Sequence, residues 1–167
     1  KLAEYYRTAR PTMATFVSNH DIFAGQRLWD QVAGNEAQYK LAAAGYLLQP
    51  GTPYIYYGEE VGQAGVPGLA GDMPLRAPMS WTAGAGGFST SARPFRPLAP
   101  NLASHNAQQQ AADPNSILAF YKAMLKLRNT LPSLARGSFE HSFADGLVLG
   151  YQRHWRDAQG DERTLVL

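Results

Sequence analysis

Two short apolar runs in this sequence end abruptly in ionisable residues. The first run is followed by Asn19, His20 and Asp21, and the second leads through a glycine to Glu59 and Glu60. Carboxylates can accept hydrogen bonds from sugar hydroxyls, and a neutral imidazole can donate one. Two carboxyl groups on neighbouring strand ends could also form the acid and nucleophile pair of glycoside hydrolysis. These residue types are therefore compatible with chemistry on a hydroxyl-rich substrate.

Each of these residues also has a structural interpretation. Asp21 can cap a local turn, and His20 can be an ordinary loop residue. A glutamate that follows glycine at a strand end more often anchors the loop or pairs with a buried arginine, and we favour that role for Glu59 and Glu60. Arg76 is either such a partner or a substrate contact.

Two strands and the helix between them are the elements that must position these residues. Residues 13–17 and 54–57 are short runs of apolar, β-branched and aromatic residues, and we predict that both are buried parallel strands. Asn35 is a good N-cap, so the intervening helix is expected to run from there to about Gln49. Its apolar run 41–48 predicts burial on most sides. Two such strands separated by one helix predict consecutive βα units of a barrel, with the active site at the carboxyl ends of the strands.

The rest of the chain is predicted to hold a long loop, a second helix and β-structure. The loop 58–112 is rich in glycine and proline, and loops of this length are usually functional or disordered. Asp113 then caps a helix with Pro114 at its first position. Three short β-type runs follow it. We therefore divide the chain into a barrel part, residues 1–132, and the start of an all-β domain, residues 133–167.

Length and composition narrow the class of protein. A complete (β/α)₈ barrel takes about 250 residues, so a chain of 167 residues is expected to hold only part of one. Residues 1–10 are predicted to be the end of a helix, and both ends resemble the interior of a longer chain.

The net charge of +2, without single-sign runs, indicates no nucleic-acid partner. No apolar stretch is long enough to span a bilayer, and the absence of cysteine excludes disulfides. The histidines lack the spacing of metal ligands.

The order of the segments resembles the C-terminal part of the α-amylase family, glycoside hydrolase family 13. The resemblance covers nearly the full chain and rests on four segments: Phe16-Val17-Ser18-Asn19-His20-Asp21, residues 50–62, Arg76-Ala77-Pro78-Met79-Ser80-Trp81, and residues 106–128. It implies an α/β fold, the last two βα units of a (β/α)₈ TIM barrel, followed by the first strands of an antiparallel β-sandwich domain.

The resemblance also implies a retaining mechanism with an aspartate nucleophile, a glutamate acid/base and a second aspartate. Of these three, only the second aspartate matches a position here, Asp21, as the transition-state stabiliser. His20 matches the substrate-binding histidine, and Asn19 and Arg76 are further candidates for substrate binding. The nucleophile and the acid/base are expected upstream, in the part of the same barrel that precedes Lys1. No cofactor is expected in this fragment, whereas calcium is possible in the full-length parent.

The implied activity is hydrolysis of α-1,4-glucans such as starch or maltodextrins. One alternative is an α-glucosidase, a transglucosidase, or a sucrose- or trehalose-converting enzyme on the same scaffold. Another is a non-catalytic relative that keeps the barrel as a binding module. The implied partner is an α-glucan oligo- or polysaccharide, and neither nucleic acid nor a membrane is expected to bind.

Overall fold

The computed structural model describes residues 4–6, 13–84 and 94–167. Most of the predicted helix at 1–10 lies outside these residues, although residues 4–6 are helical. In the part of the chain so described, no helix is both long and apolar enough to cross a membrane. Helices and strands follow in this order: β1 Ala14–Thr15, α1 Leu28–Gln31, α2 Glu36–Leu47, β2 Thr52–Pro53, α3 Ala107–Ala111, α4 Ile117–Thr130, α5 Pro132–Arg136, β3 Ser138–Asp145, β4 Val148–Asp157 and β5 Gly160–Val166. Single 3₁₀ turns lie at Ile22–Ala24, Glu59–Val61 and Met73–Leu75.

The chain forms two compact units. One unit comprises Lys1–Thr15, Ala44–Tyr54 and Ala123–Leu167. The other comprises Phe16–Ala43 and Ile55–Lys122. The division of the sequence at residue 132 into barrel and β-domain stays a prediction.

The two predicted strands at the barrel end are parallel neighbours. In the first unit Ala14 faces Thr52 and Thr15 faces Pro53, and the amide of Tyr54 donates to Thr15 at 2.8 Å. The observed second strand, Thr52–Pro53, therefore precedes the predicted run 54–57. The hydrogen bond from the amide of Tyr54 is the last one between the two strands. Gly51 leads into this strand with φ +104°, and an added Cβ there would overlap the carbonyl oxygen of Met13.

The helix between these strands has the predicted N-terminus. The Oδ1 atom of Asn35 accepts a hydrogen bond from the amide of Gln38 at 3.0 Å, which satisfies one of the unpaired amides of the first turn. Tyr39 and Ala43 are fully buried on one face of α2. The prediction of burial on most sides is wrong for Leu41, which is 73% exposed. Two residues along a helix turn the side chain by about 200°, so Leu41 points away from the face of Tyr39.

The second long helix begins later than predicted. Ser116, rather than Asp113, caps α4, since its Oγ accepts from the amide of Ala119 at 3.1 Å. The Oδ1 of Asp113 instead accepts from the amide of Asn115 at 2.8 Å. Asp113 thus closes the turn that precedes the helix, and Pro114 lies in that turn rather than at the first helical position.

Three antiparallel strands in the order β3-β4-β5 complete the first unit, as predicted for the three β-type runs. Ser138 faces His154 on one side of the central strand, and Val166 faces Tyr151 on the other. The register of the first pair shifts between Glu140 and Phe143, which marks a bulge.

Two buried arginines hold main-chain carbonyls in this unit. Arg128 donates to the carbonyls of Leu47 and Gln49, both at 2.7 Å, and to that of Gly51. Arg128 thereby serves carbonyls at the end of α2 and in the turn that leads to β2, which the helix itself leaves unpaired.

The second buried arginine, Arg153, comes from β4 and is fully buried. It donates to the carbonyls of Leu48, Gly137 and Ser138 at 2.9, 2.8 and 3.1 Å. Burial, with the nearby charge of Arg128, lowers the pKa of Arg153 to about 10.

Candidate active site

Asp21 lies within the second unit at the start of the 3₁₀ turn Ile22–Ala24. Its Oδ1 atom is 3.2 Å from Nη2 of Arg76 and 3.3 Å from Nε2 of His20. Its side chain is 34% exposed. Within the described residues, the second oxygen, Oδ2, has no hydrogen-bond partner from the protein. One carboxylate oxygen is thus anchored by Arg76, and the other makes no hydrogen bond to the residues described.

Asn19 shapes the backbone at this strand end. Its Oδ1 atom accepts a hydrogen bond from the amide of Asp21 at 2.8 Å, which is the geometry of a local Asx turn. The structure thus brings Asn19, His20 and Asp21 together at one point. Substrate binding by Asn19 stays a prediction, since the contact observed is to the main chain.

Arg76 reaches the same strand end from the following loop. Its Nε donates to the carbonyl of His20 at 3.0 Å, and its Nη2 also meets Oδ2 of Asp72 at 2.8 Å. Oδ1 of Asp72 accepts from the amide of Ile22 at 2.8 Å. The structure therefore pairs Arg76 with the carboxylates of Asp21 and Asp72. Sequence reasoning did not single out Asp72 as a site residue, and its only signal is the four-residue spacing from Arg76.

Arg27 fixes the loop that carries Arg76. Its side chain is 1% exposed and donates to the carbonyl of Leu75 from Nε at 3.0 Å and from Nη2 at 2.7 Å. Nη1 donates to the carbonyl of Tyr57 at 2.6 Å. The guanidinium also lies 4.5 Å from the ring centre of Tyr56. Arg27 thereby links Leu75, which directly precedes Arg76, to Tyr57 in the segment after β2.

Glu59 has the structural role that the sequence favoured. Its side chain is 2% exposed. Oε2 accepts from Ser18 Oγ at 2.6 Å, and Oε1 accepts from the hydroxyl of Tyr121 at 2.9 Å. The hydroxyl of Tyr39 donates to its carbonyl oxygen at 2.7 Å. Both carboxylate oxygens are engaged by buried hydroxyls, so Glu59 joins the segments after the two strands.

Glu60 is a half-buried residue, and one oxygen of its carboxyl is buried and unsatisfied. Among the described residues its Oε2 is buried without a hydrogen-bond partner. Burial raises the pKa of Glu60, and main-chain amides of Glu60 and Gly58 offset only part of this effect. The raised pKa reflects the cost of placing a carboxylate in a poorly solvated position.

We expect Glu60→Gln to raise the melting temperature of the full-length parent at pH 7. The folded pKa of this glutamate lies above its unfolded value, so the folded state binds more protons and stability falls as pH rises above about 4.5. The uncharged glutamine removes that loss. The gain in melting temperature should therefore shrink as the pH is lowered through the raised folded pKa toward about 4.5. Calorimetry from pH 4 to pH 8 measures it, and a variant that is less stable at pH 7 would contradict the assignment.

A separate cavity of about 660 Å³ lies in the same unit, and its lining includes Trp29, Asp30 and Asn101. Asp21, His20 and Arg76 do not line it. Oδ2 of Asp30 accepts a hydrogen bond from the amide of Gly65 at 2.8 Å. This carboxylate therefore fixes the position of Gly65 in the cavity wall.

Metal ligation has no support in the residues that the structure describes. Across residues 4–6, 13–84 and 94–167, no group of three or more histidine, aspartate or glutamate side chains is arranged to hold a metal ion. The carboxylates of Asp21 and Asp72 flank the cation of Arg76 instead of an open position. Calcium therefore stays a prediction for the full-length parent only.

Known proteins with similar sequences are carbohydrate-active enzymes. The chain is 30% identical over 184 residues to a probable alpha-glucosidase of Rhizobium meliloti, an alignment that covers 99% of the chain and 33% of the relative. It is 36% identical over 158 residues to the alpha-amylase SusG of Bacteroides thetaiotaomicron, covering 92% of the chain and 22% of the relative. The chain thus spans a third or less of the length of these two relatives.

Solved structures show the same fold. The α-amylase from H. orenii matches 92% of the chain and 29% of its own length, with 26% identity and a TM-score of 0.69. The isomaltulose synthase from Klebsiella sp. LX3 matches 91% of the chain and 33% of its own length, with 24% identity and a TM-score of 0.75. These matches confirm the prediction of a barrel end followed by antiparallel strands.

The family model described as the catalytic domain of alpha amylase matches residues 3–137, which is most of the chain. That range includes both strand ends, Asp21 with its partners and the long helix α4. The chain therefore belongs to the α-amylase catalytic-domain family.

Proposed function

We propose that this chain is part of a retaining glycoside hydrolase that acts on α-1,4-glucans such as starch or maltodextrins. The observation that carries the proposal is the half-anchored carboxylate of Asp21. Oδ1 is held by Arg76 at 3.2 Å, and Oδ2 has no partner among the residues described. A carboxylate in this state can accept hydrogen bonds from sugar hydroxyls, and such bonds strengthen as the sugar approaches its oxocarbenium-like transition state.

His20 is the neighbouring candidate for substrate binding, and Arg76 either makes a second contact to the sugar or serves only as the partner of Asp21. The imidazole of His20 is 64% exposed, and with Nε2 facing Asp21 the nitrogen left for a sugar hydroxyl is Nδ1. Nη1 of Arg76 also has no partner among the described residues. Asn19 supports the turn between them. In this proposal, Asp21 stabilises the transition state, while the nucleophile and the acid/base belong to the upstream part of the same barrel.

Two alternatives use the same residues. An α-glucosidase or transglucosidase is favoured by the similarity to a probable alpha-glucosidase over 99% of the chain. A non-catalytic barrel that only binds carbohydrate would use the same hydroxyl contacts at His20 and Asp21 but would show no turnover.

The activity test uses the full-length parent on starch, pullulan, maltose and sucrose. We expect release of oligosaccharides from starch, with retention of the anomeric configuration in the first product by NMR. Turnover of maltose or sucrose alone would favour the alternative enzymes. A parent that lacks an aspartate at the end of its fourth barrel strand and a glutamate at the end of its fifth would exclude the catalytic proposal.

The 167-residue chain by itself is expected to show no hydrolase activity. Within the described residues its first strand pairs with β2 alone, and the proposed covalent chemistry requires residues expected in the upstream part of the barrel. Exposed strand edges also favour aggregation. Starch hydrolysis is measured on the purified soluble chain with the full-length parent as the positive control. Measurable hydrolysis by the isolated chain would contradict the expectation.

A further inference from the structure

Asp72 and Arg76 together contact three consecutive residues at the candidate site. Arg76 donates from Nε to the carbonyl of His20 at 3.0 Å and from Nη2 to Oδ1 of Asp21 at 3.2 Å. Asp72 accepts at Oδ1 from the amide of Ile22 at 2.8 Å, and its Oδ2 holds Nη2 of Arg76 at 2.8 Å. The pair therefore forms hydrogen bonds to the main chain on both sides of Asp21 and to the side chain of Asp21.

We propose that Asp72 and Arg76 are a positioning pair that sets the orientation of the Asp21 carboxylate toward the substrate. This inference rests on the proposed role of Asp21 in transition-state stabilisation. The pair acts through Asp21, so neither member needs to touch the reacting atoms. The two side chains are complementary, because the cation donates to a carbonyl and a carboxylate while the anion accepts from an amide.

The geometry fixes a direction for the free oxygen of Asp21. The backbone at Asp21 is extended, with φ −115° and ψ 128°, and its flanking carbonyl and amide are both bound by the pair. With Oδ1 anchored to Arg76, rotation of the carboxylate would break that contact. Oδ2 is thereby held in one direction before a sugar arrives. A displacement of about 1 Å in such a group can cost about 10²-fold in rate.

A contribution to stability alone does not account for this arrangement. The side chains of Asp21, Asp72 and Arg76 are between 34% and 38% exposed. Ion pairs at such exposure contribute little to stability. The contacts nevertheless join segments that are 50 to 56 residues apart and converge on residues 20–22. The expected consequence of losing them is therefore a kinetic defect with little loss of folding.

A double-mutant cycle in the full-length parent tests this role. We expect Arg76→Gln alone to lower kcat about 10²-fold with KM changed less than about threefold, since ground-state binding is preserved. In an Asp21→Asn background, the same substitution should lower kcat by less than about threefold further, because its target is already impaired. Independent substrate contact by Arg76 would instead multiply the two effects and raise KM, and that outcome would overturn the proposal.

Conservative variants separate positioning from folding. Asp72→Asn keeps the size of the side chain and is expected to lower kcat about 10-fold, since it weakens the hold on Arg76. Arg76→Lys keeps the charge without the planar fork and should retain more kcat than Arg76→Gln. The matched control is Arg163→Gln, which removes an arginine from an exposed ion pair with Asp161 in the antiparallel sheet and should leave kcat unchanged. Equal kcat for Asp72→Asn, Arg76→Gln and the unmodified enzyme would also overturn the proposal.

The result can be distinguished from failure of the proposed function. If Asp21→Asn alone retains normal turnover, the role of Asp21 is wrong and the positioning pair fails with it. If Asp21→Asn is impaired while the Asp72 and Arg76 variants are fully active, only the positioning role fails. Circular dichroism and thermal melting of every variant establish that the comparison is made between folded enzymes.

Discussion

Asp21→Asn in the full-length parent is expected to lower kcat by about 10³-fold while the free energy of unfolding changes by less than about 1 kcal/mol. The amide keeps the shape of the side chain and an oxygen that can face Arg76. It lacks the negative charge that stabilises an oxocarbenium-like sugar. The loss should therefore fall on turnover rather than on folding.

Steady-state kinetics on starch and a thermal melt of the same preparation measure this split. Asp113→Asn is a matched control, because Asp113 is an exposed turn residue whose Oδ1 accepts from the amide of Asn115. The control is expected to keep full turnover. Near-normal turnover by Asp21→Asn would show that the transition-state role is misassigned.

Arg128→Met is expected to destabilise the full-length parent by about 3 kcal/mol. The 5%-exposed guanidinium donates to the carbonyls of Leu47, Gln49 and Gly51. Methionine fills much of the same space but supplies no donor, which leaves buried carbonyls unpaired at the end of α2 and in the following turn.

Denaturant unfolding followed by tryptophan fluorescence measures this loss as a lower midpoint. Arg163→Met serves as the control, since Arg163 makes only an exposed ion pair with Asp161 at 3.5 Å in the described structure and should change stability by less than about 0.5 kcal/mol. Arg128→Lys should fall between the two variants because a single ammonium cannot reach all three carbonyls in the fork geometry. Equal midpoints for Arg128→Met and its control would refute the capping role.

The ends of the two strands could be predicted from the sequence because each apolar run gives way directly to polar and ionisable residues. Apolar runs that stop at His20 and at Glu59 predict parallel strands leading to one face, and the two strands are indeed neighbours. The exact strand at 52–53 could not be read from propensity. The run 54–57 contains three tyrosines, a residue type that favours strands. The last hydrogen bond to the partner strand is nevertheless the one at Tyr54, so the observed strand ends before this run.

The positions of helix caps and of Asp72 required three-dimensional information. Asp113 and Ser116 are both good capping residues three positions apart, and the intervening turn decides in favour of Ser116. The side chains of Asp72 and Arg76 lie close enough to pair because the chain between them forms a 3₁₀ turn, Met73–Leu75. Their joint contact with residues 20–22 then depends on a tertiary approach between two loops, which local sequence patterns do not encode.

The buried arginines have a consequence for how this sequence can vary. Arg27, Arg128 and Arg153 all donate to main-chain carbonyls, and a carbonyl persists whatever side chain the residue carries. Substitutions at acceptor positions such as Leu75 or Leu48 therefore leave the acceptor in place, whereas replacement of the arginine removes every bond at once. The hydrogen bonds themselves are therefore expected to tolerate substitution at the acceptor residues, within the limits that core packing sets, but not at Arg27, Arg128 or Arg153.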